Sequence, residues 1–297
     1  MTQTSQLEHP IRKQLLARLP LVERHAAIAG VSTAYLEGGD GPTLVLLHGP
    51  GEFAATWLPV LPQLVRTHHV VAPDLPGHGA SEAGHELTGP RVLDWLDGLI
   101  EHTCSAPPAL VGRVVGGAIG ARLAIDRPER LAHLVLVDTL GLAPFDPAPR
   151  FALAMHRFLG EPDRLNYERF MEFCAYDLDG AQTRLGARWD PYANYAVELA
   201  RSASVQAAIG RLLAEFGTPL SQEQLDRISV PTTLIWGRDD LATPVAVAEA
   251  TAARQGWPLH VIDSAGDDPP LDQPAIFLDE LHAALNATLV ATTGQEV

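Results

Sequence analysis

Residues 109–120 constrain the fold more than any other part of the chain. The sequence ALVGRVVGGAIG passes from a short apolar run through a glycine-rich turn to small residues that suit a helix. Aliphatic and β-branched residues favour a strand, and glycine lets two backbone segments approach closely. We therefore predict a buried strand that passes directly into a helix, with Val114 at the centre of the turn. Gly112 and Gly116 frame that turn, and Gly117 allows the helix to lie close against the strand.

The same alternation continues along the chain. Short β-branched runs predict strands near 25–29, 32–36, 43–47, 69–72, 109–112, 131–137, 232–236 and 259–262. Helical patterns lie near 91–102, 117–126, 244–255 and 274–289. Strands that alternate with helices indicate an α/β fold with a mostly parallel sheet covered by helices.

Strand patterns stop between residues 143 and 217, where only helical periodicity remains. The bulky apolar residues there are Phe151, Met155, Phe158, Leu165, Phe170, Met171, Phe173, Trp189, Tyr192 and Tyr195. We expect most of them to form the core of an inserted helical cap and a few to face a pocket beneath it. The chain would then divide into a core domain at 1–142, the cap at 143–217 and the rest of the core at 218–297.

Charge and composition exclude several partners. The chain carries 21 basic and 36 acidic residues, a net charge of −15, which repels nucleic acid and anionic membrane surfaces. We find no secretory signal and no apolar run long enough to cross a bilayer. With no signal, Cys104 and Cys174 are expected to be reduced thiols, and a cytoplasmic location follows.

Three further segments complete a recognisable order. They are LLHGPG at 46–51, VAPDLPGHGAS at 71–81 and WGRDDLATP at 236–244. Together with the turn around Val114, they resemble the α/β-hydrolase superfamily from about residue 24 to 289. The resemblance implies the α/β-hydrolase fold with an eight-stranded sheet and an inserted cap, and it places the acid of the catalytic triad at Asp240.

The other two triad positions differ from the superfamily pattern. Its Gly-x-Ser-x-Gly turn carries the nucleophile where this chain has Val114, whose isopropyl group has no lone pair. Its closing loop, Gly-His-x-Pro followed by Glu-Gln-Pro, resembles SAGDDPPLDQP at 264–274 and puts Asp267 in the place of the histidine. Since histidine and serine act together in acyl transfer, we do not expect hydrolysis through this site. Valine also excludes the aspartate nucleophile of epoxide hydrolases and dehalogenases.

We expect a pocket with an apolar floor and acidic groups beside it. The expected lining residues are Pro50, Gly51, Trp57, Val114, Val115, His156 and Trp189. The expected catalytic residues are Asp240 and Asp267, with Asp138 and Glu52 nearby. Neighbouring carboxyl groups in an apolar site resist ionising together, so one could stay protonated and supply acid–base chemistry. Pro50 has no N–H for an oxyanion hole, which leaves Gly51 or Glu52 as a donor.

Three functional hypotheses follow. The first is non-hydrolytic chemistry on a small, largely apolar, polyketide-like metabolite: cyclisation, C–C bond formation, epoxide opening, elimination or decarboxylation. The second is a ligand-binding pseudoenzyme. The third is a hydrolase with a relocated nucleophile, such as Ser81, Cys174 or a water held by the acids. Against a chemical role, Asp240 could merely hold its own loop and Asp267 could be a solvated loop residue.

The remaining expectations concern individual residues and partners. His48 is expected to brace its loop, and His78 to be an exposed turn residue. No His or Cys spacing suits a metal and no dinucleotide motif is present, so we predict no metal and no cofactor. A small-molecule substrate is the expected partner, and a homodimer stays open. The superfamily resemblance also implies positive φ at Val114, which is costly for a β-branched residue, so either Val114 is strained or the turn has relaxed.

Overall fold

The computed structural model describes residues 9–84 and 87–293. Its strands form one eight-stranded sheet, as the sequence predicts. Their bounds are β1 Val22–Ile28, β2 Val31–Gly38, β3 Thr43–Leu47, β4 His69–Pro73, β5 Ala109–Arg113, β6 His133–Val137, β7 Thr232–Gly237 and β8 Leu259–Ile262. The spatial order is β1-β2-β4-β3-β5-β6-β7-β8. Strand β2 runs antiparallel to both neighbours, whereas β3 to β8 are parallel.

Thirteen α-helices are described along the same residues. They are α1 Pro10–Leu16, α2 Leu61–Leu64, α3 Gly89–Thr103, α4 Val115–Asp126, α5 Pro149–Gly160, α6 Arg164–Cys174, α7 Leu178–Leu185, α8 Trp189–Arg201, α9 Ala203–Phe216, α10 Gln222–Asp226, α11 Val245–Gln255, α12 Pro269–Asp272 and α13 Pro274–Thr293. Helix α1 was not anticipated from the sequence. It begins with proline at its first turn, where the missing N–H costs nothing, and it packs against α8.

Alternate residues of each strand face opposite sides of the sheet. In β3, Val45 and Leu47 pack in the apolar cluster that holds α3 and α4. Leu44 and Leu46 pack on the other side, in the cluster that holds α2 and α13. Both faces are thus covered, which explains why the central strands read as continuous apolar runs.

The stretch between β6 and β7 contains helices α5 to α9 and, within the described residues, no strand. Their inward side chains form a third apolar cluster, which also includes Phe53 and Ala242 from loops at the strand ends. These helices therefore cover the carboxyl ends of the parallel strands, where open α/β sheets place their ligand sites.

Two smaller findings concern the thiols and the helices. Cys104 and Cys174 are unpaired, as expected. Among the described helices, none combines the length and hydropathy needed to cross a bilayer.

Candidate active site

The turn between β5 and α4 is strained at Val114, where φ is 48° and ψ is −111°. A β-branched residue avoids this region, so surrounding contacts must enforce it. A Cβ on Gly112 would lie 2.5 Å from Gly117 N, and one on Gly116 would lie 2.6 Å from Leu47 O. The glycines thus permit the tight strand-to-helix packing that the sequence predicts. The strained form of the turn is confirmed.

A cavity of about 310 Å³ lies between the strand ends and helices α5 to α9. Its lining includes the expected Pro50, Gly51, Glu52, Val114 and Asp267. Six of the ten bulky apolar residues predicted in the cap also line it: Phe151, Met155, Phe158, Phe170, Met171 and Tyr192. More of the cap faces the cavity than expected, because α5, α6 and α8 each turn one apolar face toward it.

Four expected lining residues do not line this cavity and need correction. Val115 and Trp57 are fully buried in the two clusters on either side of the sheet. Trp189 is buried within the cap, where its ring contacts those of Tyr167 and Tyr192. His156 is exposed on the outer face of α5. The sequence placed each of these residues in the correct helix or loop, but the packing of neighbouring elements decided which way its side chain points.

Arg113, the last residue of β5, is the functional residue that the sequence analysis missed. Its side chain is 1% exposed and lines the cavity. Nη1 donates to Glu52 Oε2 at 3.3 Å and to Thr56 Oγ1 at 3.2 Å. Nη1 also lies 3.2 Å from Asp268 Oδ2, and Nη2 donates to the Asp267 carbonyl at 2.9 Å. A charged residue at the end of an apolar strand was the available signal, since a buried arginine requires carboxylate partners.

Burial changes the ionisation of the carboxyl groups around Arg113. Burial raises the pKa of Asp267 well above its usual range, and the neighbouring Asp240 carboxyl raises it further. Burial likewise raises the pKa of Asp268 to about 7, although the Arg113 guanidinium opposes the shift. Asp267 is thus not a freely solvated loop residue. Its backbone is fixed as well, because its N–H donates to the Cys174 carbonyl at 3.0 Å.

Asp138 and Asp240 form a carboxyl pair next to Asp267. Asp138 Oδ1 accepts from Gly237 N at 2.9 Å, and Asp240 Oδ1 accepts from Ala242 N and Thr243 N at 2.7 and 2.9 Å. Both Oδ2 atoms are buried without a hydrogen-bond partner, and the two carboxyl groups are electrostatic neighbours. Neighbouring buried carboxyl groups resist ionising together.

Burial raises the pKa of Asp138 well above its usual range and that of Asp240 to about 7. Neither side chain lines the cavity. Asp240 does hold its own loop, as the structural alternative expects, because its Oδ1 accepts from Ala242 N and Thr243 N. The structure brings the expected acids together, with Asp267 and Glu52 at the cavity and the pair behind them.

Other candidate groups have structural roles. Leu75 N donates to His48 Nε2 at 2.9 Å, and His48 Nδ1 bonds the Gly49 carbonyl at 2.7 Å, so His48 braces its loop as expected. His78 is fully buried rather than exposed, its ring 5.5 Å from that of His48. Ser81 Oγ donates to the Asp74 carbonyl at 2.8 Å and accepts from Ala34 N at 2.9 Å. No group of three or more His, Cys, Asp or Glu side chains in the described ranges is arranged to hold a metal.

Comparison with known proteins identifies a matching family model and several similar hydrolases. A family model described as alpha/beta hydrolase fold matches residues 42–274. The 2-hydroxymuconate semialdehyde hydrolase of a Pseudomonas species is 28% identical over 278 residues, covering 87% of this chain and 92% of that protein. A 2-hydroxy-6-oxononadienedioate/2-hydroxy-6-oxononatrienedioate hydrolase of Cupriavidus pinatubonensis is 30% identical over 251 residues, with coverages of 77% and 81%.

A solved structure shares the fold. The 2-hydroxy-6-oxo-6-phenylhexa-2,4-dienoate hydrolase from a Rhodococcus species is 24% identical. It has a TM-score of 0.77, covering 90% of this chain and 99% of that one. At this identity the likeness supports the sheet and helix arrangement and no more.

Proposed function

Since the chain belongs to the alpha/beta hydrolase fold family, we propose that it is an enzyme of this fold that transfers protons on a small, largely apolar metabolite without forming an acyl-enzyme. The reaction classes that fit are cyclisation, C–C bond formation, epoxide opening, elimination and decarboxylation. The observation that carries the proposal is the strained turn with an isopropyl group at its tip, beside a cluster of carboxyl groups whose pKa values are raised by burial.

The absence of a nucleophile at the turn supports this proposal. A serine hydrolase needs a hydroxyl at the tip and an imidazole to take its proton, and this chain has Val114 and Asp267 at those two positions. The relatives named above are hydrolases by name, so hydrolysis is what family membership alone would suggest. The chemistry of these two side chains argues against it here.

The acids supply two different proton-transfer groups. Asp267 lines the cavity and, with its raised pKa, holds a proton that it can donate to a substrate oxygen or carbon. Glu52 also lines the cavity and is ion-paired with Arg113, so it is the carboxylate placed to accept a proton. The Asp138–Asp240 pair is coupled to Asp267 and would limit how much negative charge builds up there.

The turn itself can stabilise negative charge that develops on the substrate. Helix α4 begins at Val115, directly below Val114, and its twelve residues direct their N-terminal N–H groups toward the cavity end of β5. From the positive φ at Val114 we infer that the Val115 N–H is placed to serve as an oxyanion-hole donor. A developing enolate or alkoxide would be favoured there.

A relocated nucleophile has less support. The Ser81 hydroxyl is occupied by two backbone contacts. Cys174 lines the cavity, but burial raises the pKa of its thiol well above the usual range and keeps it protonated, whereas the thiolate is the nucleophile. A ligand-binding pseudoenzyme remains the second candidate, because the same cavity would bind a metabolite if the acids had no chemical role.

The mass of the product tests the proposal. We would incubate the protein with pooled small apolar metabolites in D₂O and follow consumed and formed species by mass spectrometry. We expect a product of unchanged formula, or one that has lost water or carbon dioxide, with deuterium at the reacting carbon where the step protonates carbon, as in decarboxylation. A product that gains the elements of water, or an active-site adduct with a fluorophosphonate, would refute the proposal. Binding without conversion would support the pseudoenzyme.

Matched variants assign the roles. Asp267→Asn and Glu52→Gln keep the shape of each side chain, and each is expected to lower turnover by about 10²–10⁴-fold, the contribution of one general acid or base. Asp179→Asn, on the exposed surface of α7, is the control that should retain full turnover. Unchanged turnover in both cavity variants would contradict the assigned roles.

A further inference from the structure

The charges on the cavity wall do not balance. Three carboxyl groups line the cavity, those of Glu52, Asp267 and Asp268, but Arg113 is the one cationic side chain in its described lining. With all three carboxyl groups ionised, the wall would carry one positive and three negative charges. Burying such an excess is costly, and burial accordingly raises the pKa values of Asp267 and Asp268.

Arg113 is enclosed by the protein. Its terminal nitrogens contact Glu52, Thr56, Asp268 and the Asp267 carbonyl, its Nε is buried without a hydrogen-bond partner, and the side chain is 1% exposed. A ligand carboxylate would meet the acids around Arg113 at close range. The acidic end of the cavity therefore disfavours a ligand carboxylate.

An unpaired hydroxyl points to a polar group on the ligand. Tyr167 is 4% exposed and lines the cavity. Among the described residues, no hydrogen bond involves its Oη, while the ring is packed 5.4 Å from Phe158 and 6.2 Å from Trp189. Its electrostatic neighbours include Glu52 and Asp268, so the hydroxyl lies at the acidic end of the cavity. This oxygen is not among the enclosed polar atoms that lack a partner, so it is open to the cavity, where a bound donor can reach it.

We infer that the cavity accepts a small hydrophobic amine, with its ammonium group against Asp267 and Tyr167 Oη and its hydrocarbon part among the aromatic rings of the cap. The ammonium would supply the missing positive charge, donate to the carboxylate and the hydroxyl, and contact the faces of nearby rings. This inference rests on the site of the proposed function and specifies its substrate class; with an amine bound, the ammonium N–H beside Asp267 replaces the carboxyl proton as the proton donor.

Binding of an ammonium should be linked to proton release. The charged and titratable groups that act on Asp267 are Glu52, Arg113, Asp138, Cys174, Asp240 and Asp268. A cation favours the ionised form of a carboxyl group, so a protonated acid beside the ammonium loses its proton when the amine binds. Affinity for an amine should therefore rise with pH until the amine itself deprotonates.

Three probes with one skeleton test the inference by calorimetry: 4-phenylbutylamine, 4-phenylbutan-1-ol and 4-phenylbutanoate. We expect the amine to bind at least about tenfold more tightly than the carboxylate, a difference of about 1.4 kcal/mol. Between pH 6 and pH 8, affinity for the amine should rise by about tenfold with net proton release, while the affinity for the alcohol stays constant.

Substitutions at Asp267 and Tyr167 test whether these two groups cause the preference for the amine. Asp267→Asn should weaken the amine about tenfold or more and leave the alcohol unchanged, and Tyr167→Phe should weaken the amine by a smaller factor. Asp179→Asn is the surface control. Equal or tighter binding of the carboxylate, or no amine binding up to its solubility limit, would overturn the inference. These readouts measure binding alone, so a failure of the proposed chemistry would not affect them.

Discussion

Removal of Arg113 should reveal how strongly the cavity acids depend on one another. The substitution Arg113→Met keeps the length and apolar volume of the side chain but deletes its contacts with Glu52, Thr56, Asp268 and the Asp267 carbonyl, at 2.9 to 3.3 Å. Breaking a buried ion pair by removing one partner costs about 3–5 kcal/mol, because the other charge remains buried. We expect a loss of this size at pH 8.

The free energy of unfolding lost in Arg113→Met should be smaller at lower pH. Burial already raises the pKa of Asp268 to about 7 while Arg113 opposes the shift, so without Arg113 this pKa rises further. A carboxyl whose pKa is raised by folding destabilises the protein as the pH rises from the unfolded pKa toward the folded one, and it costs nothing once protonated in both states. At pH 5 the acid is protonated in the folded protein, and Arg113 has less negative charge to balance.

Urea denaturation of the wild type and the variant at pH 5, 6.5 and 8 measures this effect, and the difference between the two proteins removes the contribution of other titrating groups. Arg238→Met, at an exposed pair with Asp263, is the matched control and should change the midpoint little at any pH. A loss below about 1 kcal/mol at pH 8, or one that does not depend on pH, would refute the account of Arg113.

Two further predictions concern packing and pH. Gly117→Ala should destabilise the protein by about 1–3 kcal/mol, because the new Cβ would lie 2.1 Å from Thr139 Oγ1. Gly210→Ala in α9 is the matched control, because its new Cβ would have no neighbour within 4 Å. It should stabilise the protein by about 0.5–1 kcal/mol in the same urea denaturation assay. Equal effects at the two sites would contradict the packing described for the turn. Burial lowers the pKa of His78 to about 3, so the wild type should lose stability as pH falls from about 6.5, the usual histidine pKa, toward 4. His78→Phe should reduce that slope by about 1.4 kcal/mol per pH unit and His156→Phe should leave it unchanged; an unchanged slope in the first variant would show that His78 is not held neutral.

The sequence predicted the features that depend on local patterns. All eight strands lie where β-branched runs placed them, and β3 and β8 match to the residue. The glycines at 112, 116 and 117 predicted the tight turn, because only closely packed backbones require glycine at that spacing, whereas the possible strain at Val114 came from the superfamily resemblance. The positions of Asp240 and Asp267 also came from motif order, so the acidic character of the site was foreseeable.

Tertiary structure decided what depends on residues far apart in the chain. Arg113 lies 61 residues from Glu52 and 154 from Asp267, and no periodic pattern connects such positions. The same holds for Trp57 and His78, whose burial depends on which helices cover their loops. Local spacing fixes which residues share a face of a strand or helix. Only the packing of distant elements decides whether that face meets a cavity, a buried charge or water, and here it placed one guanidinium among three carboxyl groups.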